Sequence, residues 1–344
     1  MTEIERPWSP RACAVKPMAS DRFRLFGLRG TEALGEAVAR VLGCRLTAHE
    51  EREFEDGEHK ARPLDPVQGA DVYVLHSLYG GPEHSANDKL CRLLFFIGAL
   101  KDAGAERVTA VAPYLCYARK DRRTKVSDPV TTRYLAGMFE AVGTDAVVTL
   151  EVHNPAAFEN AFRCRTVALP AAPLFVDYVR ELGGGPLCVV SPDTGGAKRA
   201  ELLRQALETV SGQAVGKAFA EKYRSAGVVS GDLFVGDVAG TTALLVDDLL
   251  STGTTLRRTA LAARDAGALR VIALVAHGLF MAGSEALLSE PAIDRVVITD
   301  SVPPFRLGHG HGREKLVVVP AAPLLAEAIR RLHQGHGLAD LLAF

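Results

Sequence analysis

From Phe23 onward the chain alternates short apolar runs with longer amphipathic ones. Arg24–Phe26, Asp71–Leu75, Arg107–Ala112 and Ala146–Leu150 are compact β-rich runs bounded by turn residues, as buried strands are. Between them Glu32–Leu42, Asn87–Ala103 and Thr131–Val142 space their apolar side chains at helical intervals. Such a βα alternation predicts an α/β fold with a mostly parallel sheet flanked by helices. Ala168-Leu-Pro-Ala-Ala-Pro173 and Gly183-Gly-Gly-Pro186 punctuate the chain around a helix at Leu174–Leu182, and a second domain starts at this break. There the rhythm repeats: strand Leu187–Ser191, helix Gly196–Glu208, strand Thr242–Asp247, helix Thr255–Ala266, then strands Val271–Ala276 and Val296–Thr299. Helices at Ala322–Leu332 and Leu338–Phe344 close the chain. The expected organisation is an N-terminal extension (1–21), a first domain (22–168) on which the helices of 322–344 pack back, and a second domain (169–321).

Length agrees with two domains, since 344 residues is about twice the usual ~150. Charge then narrows the partners. Forty Lys and Arg against 41 Asp and Glu leave no overall basic field for long nucleic acid or a membrane surface, so any anion site is local. No apolar run reaches the ~20 residues that cross a bilayer, and the start of the chain, with Glu3 and Glu5, lacks the apolar core of a secretion signal. A cytoplasmic protein is expected. The six cysteines, Cys13, Cys44, Cys91, Cys116, Cys164 and Cys188, stand at no metal-ligand spacing and read as reduced thiols.

The chemistry concentrates in Ala243-Leu-Leu-Val-Asp-Asp-Leu-Leu-Ser-Thr-Gly-Thr-Thr-Leu256, where a buried-strand run ends in two carboxylates and a small, hydroxyl-bearing loop opens a helix. Small residues let successive N–H groups turn into one concavity, and the helix N-terminus adds partial positive charge for a phosphate. Thr252, Thr254 and Thr255 donate hydroxyl hydrogen bonds, and Asp247 and Asp248, at the carboxyl end of a strand, accept from sugar hydroxyls. Read alone, Ser-Thr-Gly-Thr-Thr is also a plain helix cap; the paired aspartates argue for a ligand. As a unit the stretch resembles the ribose-phosphate loop of the phosphoribosyltransferase fold.

Further stretches make the chain similar to one branch of that fold, the ribose-phosphate pyrophosphokinases. Val111-Ala-Pro-Tyr-Leu-Cys-Tyr-Ala-Arg-Lys-Asp-Arg-Arg123 gathers four cations around one acid, and guanidinium forks suit polyphosphate oxygens. It resembles that family's ATP-binding segment, which implies ATP contacts for Arg119, Lys120 and Asp121. Phe54-Glu-Asp-Gly-Glu58 resembles the second ATP contact, a loop from a neighbouring subunit, which implies Phe54 against the adenine and Asp56 and Glu58 on polar groups. Thr149-Leu-Glu-Val-His-Asn154 and Ser191-Pro-Asp-Thr-Gly-Gly196 imply Mg²⁺ contacts for His153, Asp193 and the carboxylate at Glu151. Lys222-Tyr-Arg224, set just before Gly236-Asp-Val, matches the Lys-x-Arg pair of the family's mobile catalytic loop, which implies transition-state stabilisation by Lys222 and Arg224.

The resemblance implies two phosphoribosyltransferase-like domains, the first binding ATP and the second ribose 5-phosphate on Asp247, Asp248, Ser251, Thr252, Gly253, Thr254 and Thr255. It implies transfer of the pyrophosphoryl group of ATP to the C1 hydroxyl of ribose 5-phosphate, and a homo-oligomer, dimer or hexamer, with a shared ATP site. The member is divergent: Glu151 replaces the usual Asp, Lys120 a common Gln, and Ser251 and Thr254 a common Asp and Gly, while Pro320-Ala-Ala-Pro323 replaces a hydroxyl-bearing regulatory stretch. Two alternatives share parts of this pattern. A phosphoribosyltransferase needs the loop without the Phe54, Arg119 and Lys222 elements, and a non-catalytic regulatory homologue is expected to lack Lys222, Arg224 or His153. His309-Gly-His311 lacks further evident ligands and is assigned no metal.

Overall fold

A computed structural model describes Met18 and residues 21–225, 228–308 and 312–342, with backbone alone over 221–225 and 228–233. Most of the expected N-terminal extension and His309-Gly-His311 lie outside the described residues. The chain divides into two compact units, one of Ala12–Pro170 with Ala321–Leu342 and one built on Ala171–Pro320.

The N-terminal unit runs β1 (Phe23–Gly27), α1 (Glu32–Leu42), β2 (His49–Glu53), β3 (His59–Pro63), β4 (Asp71–Leu75), α2 (Ala86–Asp102), β5 (Arg107–Val111), α3 (Thr131–Ala141), β6 (Ala146–Leu150), α4 (Pro155–Ala161) and β7 (Arg165–Leu169). Its five-stranded sheet has the order β1-β4-β5-β6-β7 and every pairing is parallel. Strand residues such as Phe26, Val74, Val108 and Val147 pack with Phe96 and Phe139 from the covering helices in one apolar cluster. β2 and β3 form a separate antiparallel hairpin. The polar run His49-Glu-Glu-Arg-Glu53 carries no apolar alternation, so the pattern of the sequence did not announce it as a strand.

The C-terminal unit runs α5 (Ala172–Glu181), β8 (Leu187–Ser191), α6 (Ala197–Ser211), β9 (Gly216–Ser225), β10 (Val228–Val235), β11 (Thr242–Leu250), α7 (Thr254–Asp265), β12 (Arg270–Gly278), α8 (Glu285–Leu288), β13 (Arg295–Thr299) and β14 (Leu316–Val319). Its seven strands are ordered β10-β9-β8-β11-β12-β13-β14, and only β10 is antiparallel to its neighbour. From β8 the chain proceeds outward to β9 and β10, then crosses back to β11 and proceeds the other way. The order therefore reverses between β8 and β11, the place where open α/β sheets leave a crevice at their carboxyl ends.

Two helices close the chain, α9 (Ala322–Gln334) and α10 (Ala339–Leu342). The apolar stripe of α9, including Leu325, Ile329 and Leu332, is buried, and the helix packs on α1 of the N-terminal unit. At its end Arg107 Nη2 donates to the Leu332 carbonyl (3.1 Å), and His333 Nδ1 lies 2.7 Å from Asp71 Oδ2. Among the described residues no helix is long and apolar enough to cross a membrane.

Candidate functional site

The sequence's strongest motif sits where the topology favours a ligand. β11 is the central strand of its sheet, and its carboxyl end delivers Asp247 and Asp248 beside the reversal point. Gly253 then caps α7 with φ 77°, a left-handed conformation that L side chains adopt only with strain. A Cβ there would also stand 2.9 Å from Leu287 Cβ, so two independent constraints select glycine. No side chain caps α7, which leaves its first amides oriented outward for an anion. Thr252 and Thr254 are exposed with their hydroxyls 3.1 Å apart. The loop is buttressed from below: Leu279 N–H donates to the Leu250 carbonyl (2.9 Å) and Met281 N–H to that of Ser251 (3.0 Å).

Asp248 is buried and Asp247 half-buried, and Asp247 Oδ1 accepts from the Asp248 amide at 2.9 Å. Burial, followed by repulsion from Asp248, pushes the Asp247 carboxyl well above the ordinary carboxylate range, while Arg199 pulls it down. Sequence reasoning missed Arg199. The available signal was its position in the first turn of a helix that directly follows the Asp193-Thr-Gly-Gly196 loop. Asp193 itself is exposed; its Oδ1 accepts from the Gly196 amide (2.9 Å) and its carbonyl from Ser191 Oγ (2.6 Å), so the turn after β8 is held by its own hydrogen bonds.

In the N-terminal unit the candidate residues arrive on three segments. Phe54 tops the β2–β3 hairpin, 41% exposed, with Arg52 5.2 Å from its ring centre. Within the turn the Phe54 amide donates to the Glu58 carbonyl (2.8 Å), while Asp56 Oδ1 accepts from the Glu58 amide (3.1 Å). The loop after β5 carries Arg119 exposed and Lys120 half-buried, with Lys120 Nζ 2.8 Å from Asp128 Oδ2. That same oxygen accepts from the Thr124 hydroxyl (2.6 Å) and the Thr124 and Lys125 amides (3.1 and 3.0 Å), which holds the Asp128 carboxyl far below the usual range. Asp121 Oδ2 accepts from Asn154 Nδ2 at 2.7 Å, tying this loop to the one after β6 that bears Glu151 and exposed His153.

Backbone strain marks the same loops. The non-glycine residues with positive φ among the described residues are Tyr117, Ser127, Glu151 and Phe280. All four follow the carboxyl ends of β5, β6 or β12, where strain of about 1–3 kcal/mol each is tolerated when surrounding bonds over-determine the loop. Lys222 and Arg224 lie in β9, paired with Asp232 and Val229 of β10, rather than in irregular chain; their side chains lie outside the described residues.

Among the described residues no three His, Cys, Asp or Glu side chains converge as a metal site. Mg²⁺ retains water and is often held by one or two carboxylates together with substrate phosphates. Taken unit by unit, the donors of that kind are the exposed Asp193 carboxylate in the C-terminal unit and the half-buried Glu151, in the turn with exposed His153, in the N-terminal unit.

Comparison with known proteins joins these parts. The family model for the N-terminal domain of ribose phosphate pyrophosphokinase matches residues 23–143, and that for the phosphoribosyl synthetase-associated domain matches residues 231–343. The ribose-phosphate pyrophosphokinase of Hyphomonas neptunium is 34% identical over 320 residues, 93% of this chain and 99% of that protein. Its namesake from Caldanaerobacter subterraneus subsp. tengcongensis is 35% identical over 325 residues, covering 94% and 98%. The crystal structure of phosphoribosylpyrophosphate synthetase from Mycobacterium smegmatis is similar with a TM-score of 0.80 and 30% identity, over 91% of this chain and 99% of that one. With both units matched nearly end to end in sequence and in fold, the chain belongs to the ribose-phosphate pyrophosphokinase family and is an enzyme of that kind.

Proposed function

We propose that the chain binds ribose 5-phosphate on Asp247, Asp248 and Ser251–Thr255, and that the C1 hydroxyl attacks the β-phosphorus of ATP to give phosphoribosyl pyrophosphate and AMP. The observation that carries this reading is the uninterrupted passage from an acid pair to an uncapped, glycine-opened helix at the end of the central strand. The acids accept from ring hydroxyls, and the loop amides and threonine hydroxyls take the 5-phosphate. ATP is assigned to Arg119, Lys120 and Asp121, with Lys120 acting from its ion pair with Asp128. Phe54, Asp56 and Glu58 serve the ATP of a neighbouring copy, which makes the working form a homo-oligomer, dimer or hexamer; the exposure of Phe54 at a hairpin tip supports this. Lys222 and Arg224 stabilise charge that develops on the transferred group. Mg²⁺ is assigned to His153, Glu151 and Asp193, where it would neutralise polyphosphate charge. The enzyme is assigned to the cytoplasm.

Incubation with ATP, ribose 5-phosphate and Mg²⁺ is expected to release AMP in step with phosphoribosyl pyrophosphate. Release of ADP, or no turnover, would overturn the reading.

A further inference from the structure

The acid pair at the end of β11 poses an electrostatic problem. Adjacent carboxylates with restricted access to water repel one another, and a carboxyl that takes up a proton becomes a donor where a sugar O–H needs an acceptor. Successive strand residues also ordinarily face opposite sides of a sheet. Yet one guanidinium reaches both acids: Arg199 Nη1 lies 3.7 Å from Asp247 Oδ1 and Nη2 lies 3.5 Å from Asp248 Oδ1. The Arg199 side chain is only 14% exposed, so its charge is not spent on solvent. It comes from the first turn of α6, just beyond the carboxyl end of β8, and so spans the reversal point of the sheet. A planar fork suits a two-point contact in a way that the point charge of lysine does not.

We propose that Arg199 is a positioning residue that sets pentose specificity: its fork reaches both carboxyls and holds Asp247 and Asp248 turned to one side, so that together they accept from two adjacent ring hydroxyls. The inference rests on the ribose-phosphate reading of the loop. Removing the fork acts on hydroxyl recognition and spares the 5-phosphate, which belongs to Ser251–Thr255. A sugar phosphate that lacks one of those hydroxyls gains little from Arg199 and loses little without it.

Titration calorimetry of the full-length protein with ribose 5-phosphate and with 2-deoxyribose 5-phosphate, alongside steady-state kinetics, tests this. Arg199→Met is expected to weaken ribose 5-phosphate by ~10-fold or more, the scale of hydrogen bonds to charged acceptors, while 2-deoxyribose 5-phosphate binds nearly as before. KM for ribose 5-phosphate rises more than kcat falls, and KM for ATP holds. Arg199→Lys restores part of the ribose 5-phosphate affinity without restoring the full discrimination between the sugars. Equal losses for both sugars, or an unchanged preference, would overturn the proposal. If Arg199→Met does not fold, Arg199→Lys decides alone: full parental discrimination refutes the role of the fork. Asp248→Asn separates the two levels of the argument. Unchanged ribose 5-phosphate affinity in that variant refutes the loop reading itself, whereas weakened affinity there with parental discrimination in the Arg199 variants refutes only Arg199.

Discussion

The two units carry their candidate residues in contrasting ways. In the C-terminal unit one continuous stretch, Val246–Thr255, supplies acids, hydroxyls and helix amides, and its shape is fixed by Gly253 and by carbonyls of Leu250 and Ser251 that accept from the next strand's loop. In the N-terminal unit a hairpin tip and the loops after β5 and β6 each contribute a few residues, and their charged groups already have internal partners, Lys120 the carboxylate of Asp128 and Asp121 the amide of Asn154. A contiguous site is dictated by local backbone geometry. An assembled one depends on side-chain bonds between loops, so substitutions in the two units are expected to fail differently.

The largest effect is expected outside both sets of binding loops. Lys222→Ala should lower kcat by ~10³-fold, the scale seen when a transition-state cation is removed, with KM values for both substrates little changed. Initial-rate kinetics decide, and an unaltered kcat would take Lys222 out of the mechanism. Next comes the contiguous loop. Gly253→Ala forces a side chain into a left-handed backbone and against Leu287, at a cost of about 1–3 kcal/mol. It is expected to raise KM for ribose 5-phosphate by ~10-fold or more, by loss of the loop's geometry, and to leave KM for ATP alone. A uniform loss of both affinities would erase the distinction between the two units.

The sequence was legible where physics is local. Helix Glu32–Leu42 and strands Asp71–Leu75, Ala146–Leu150 and Leu187–Ser191 show the bounds their apolar patterns predict. The loop Val246–Thr255 was readable because its acids, hydroxyls and glycine are neighbours in the chain. The β2–β3 hairpin and the β9–β10 pair were not, since strands made of residues such as Glu50, Glu51 and Arg52 show no period-two apolar face and owe their form to a partner strand. Arg199 was hidden for a related reason: only the reversal of strand order between β8 and β11 brings it to the acid pair, and strand order is not written locally. The bonds of Asp128 to Lys120 and of Asn154 to Asp121 likewise join residues that no short motif links.

The N-terminal unit also carries an acid-sensitive group of its own. His76 is fully buried beyond β4, with Nδ1 3.1 Å from Thr31 Oγ1 and Nε2 without a hydrogen-bond partner among the described residues. Burial, with Lys89 adding to it, pushes its pKa from 6.5 down to about 3. The unfolded chain therefore takes up the proton first, and the stability tied to neutral His76 is present above pH 6.5 and drains away as pH falls toward 3. Between pH 7 and pH 5 this group alone should cost about 2 kcal/mol. Urea unfolding at the two pH values is expected to show a smaller difference in His76→Gln than in the parent; an identical difference would sink the assignment.

The smallest effect expected is also the one most specific to an assembled site. Asp128 receives Lys120, the Thr124 hydroxyl and two amides on one oxygen, so it organises the exposed segment that presents Arg119. Because the segment lies at the surface, solvent screens the ion pair and little folding stability depends on it. Asp128→Asn removes the charge yet keeps an oxygen for the amides, freeing Lys120 without collapsing the turn. KM for ATP should rise by less than about tenfold, KM for ribose 5-phosphate should hold, and the melting temperature should stay close to that of the parent. An equal rise in both KM values would mean that the loop after β5 also governs the ribose phosphate, and the contrast between a contiguous and an assembled site would no longer describe this enzyme.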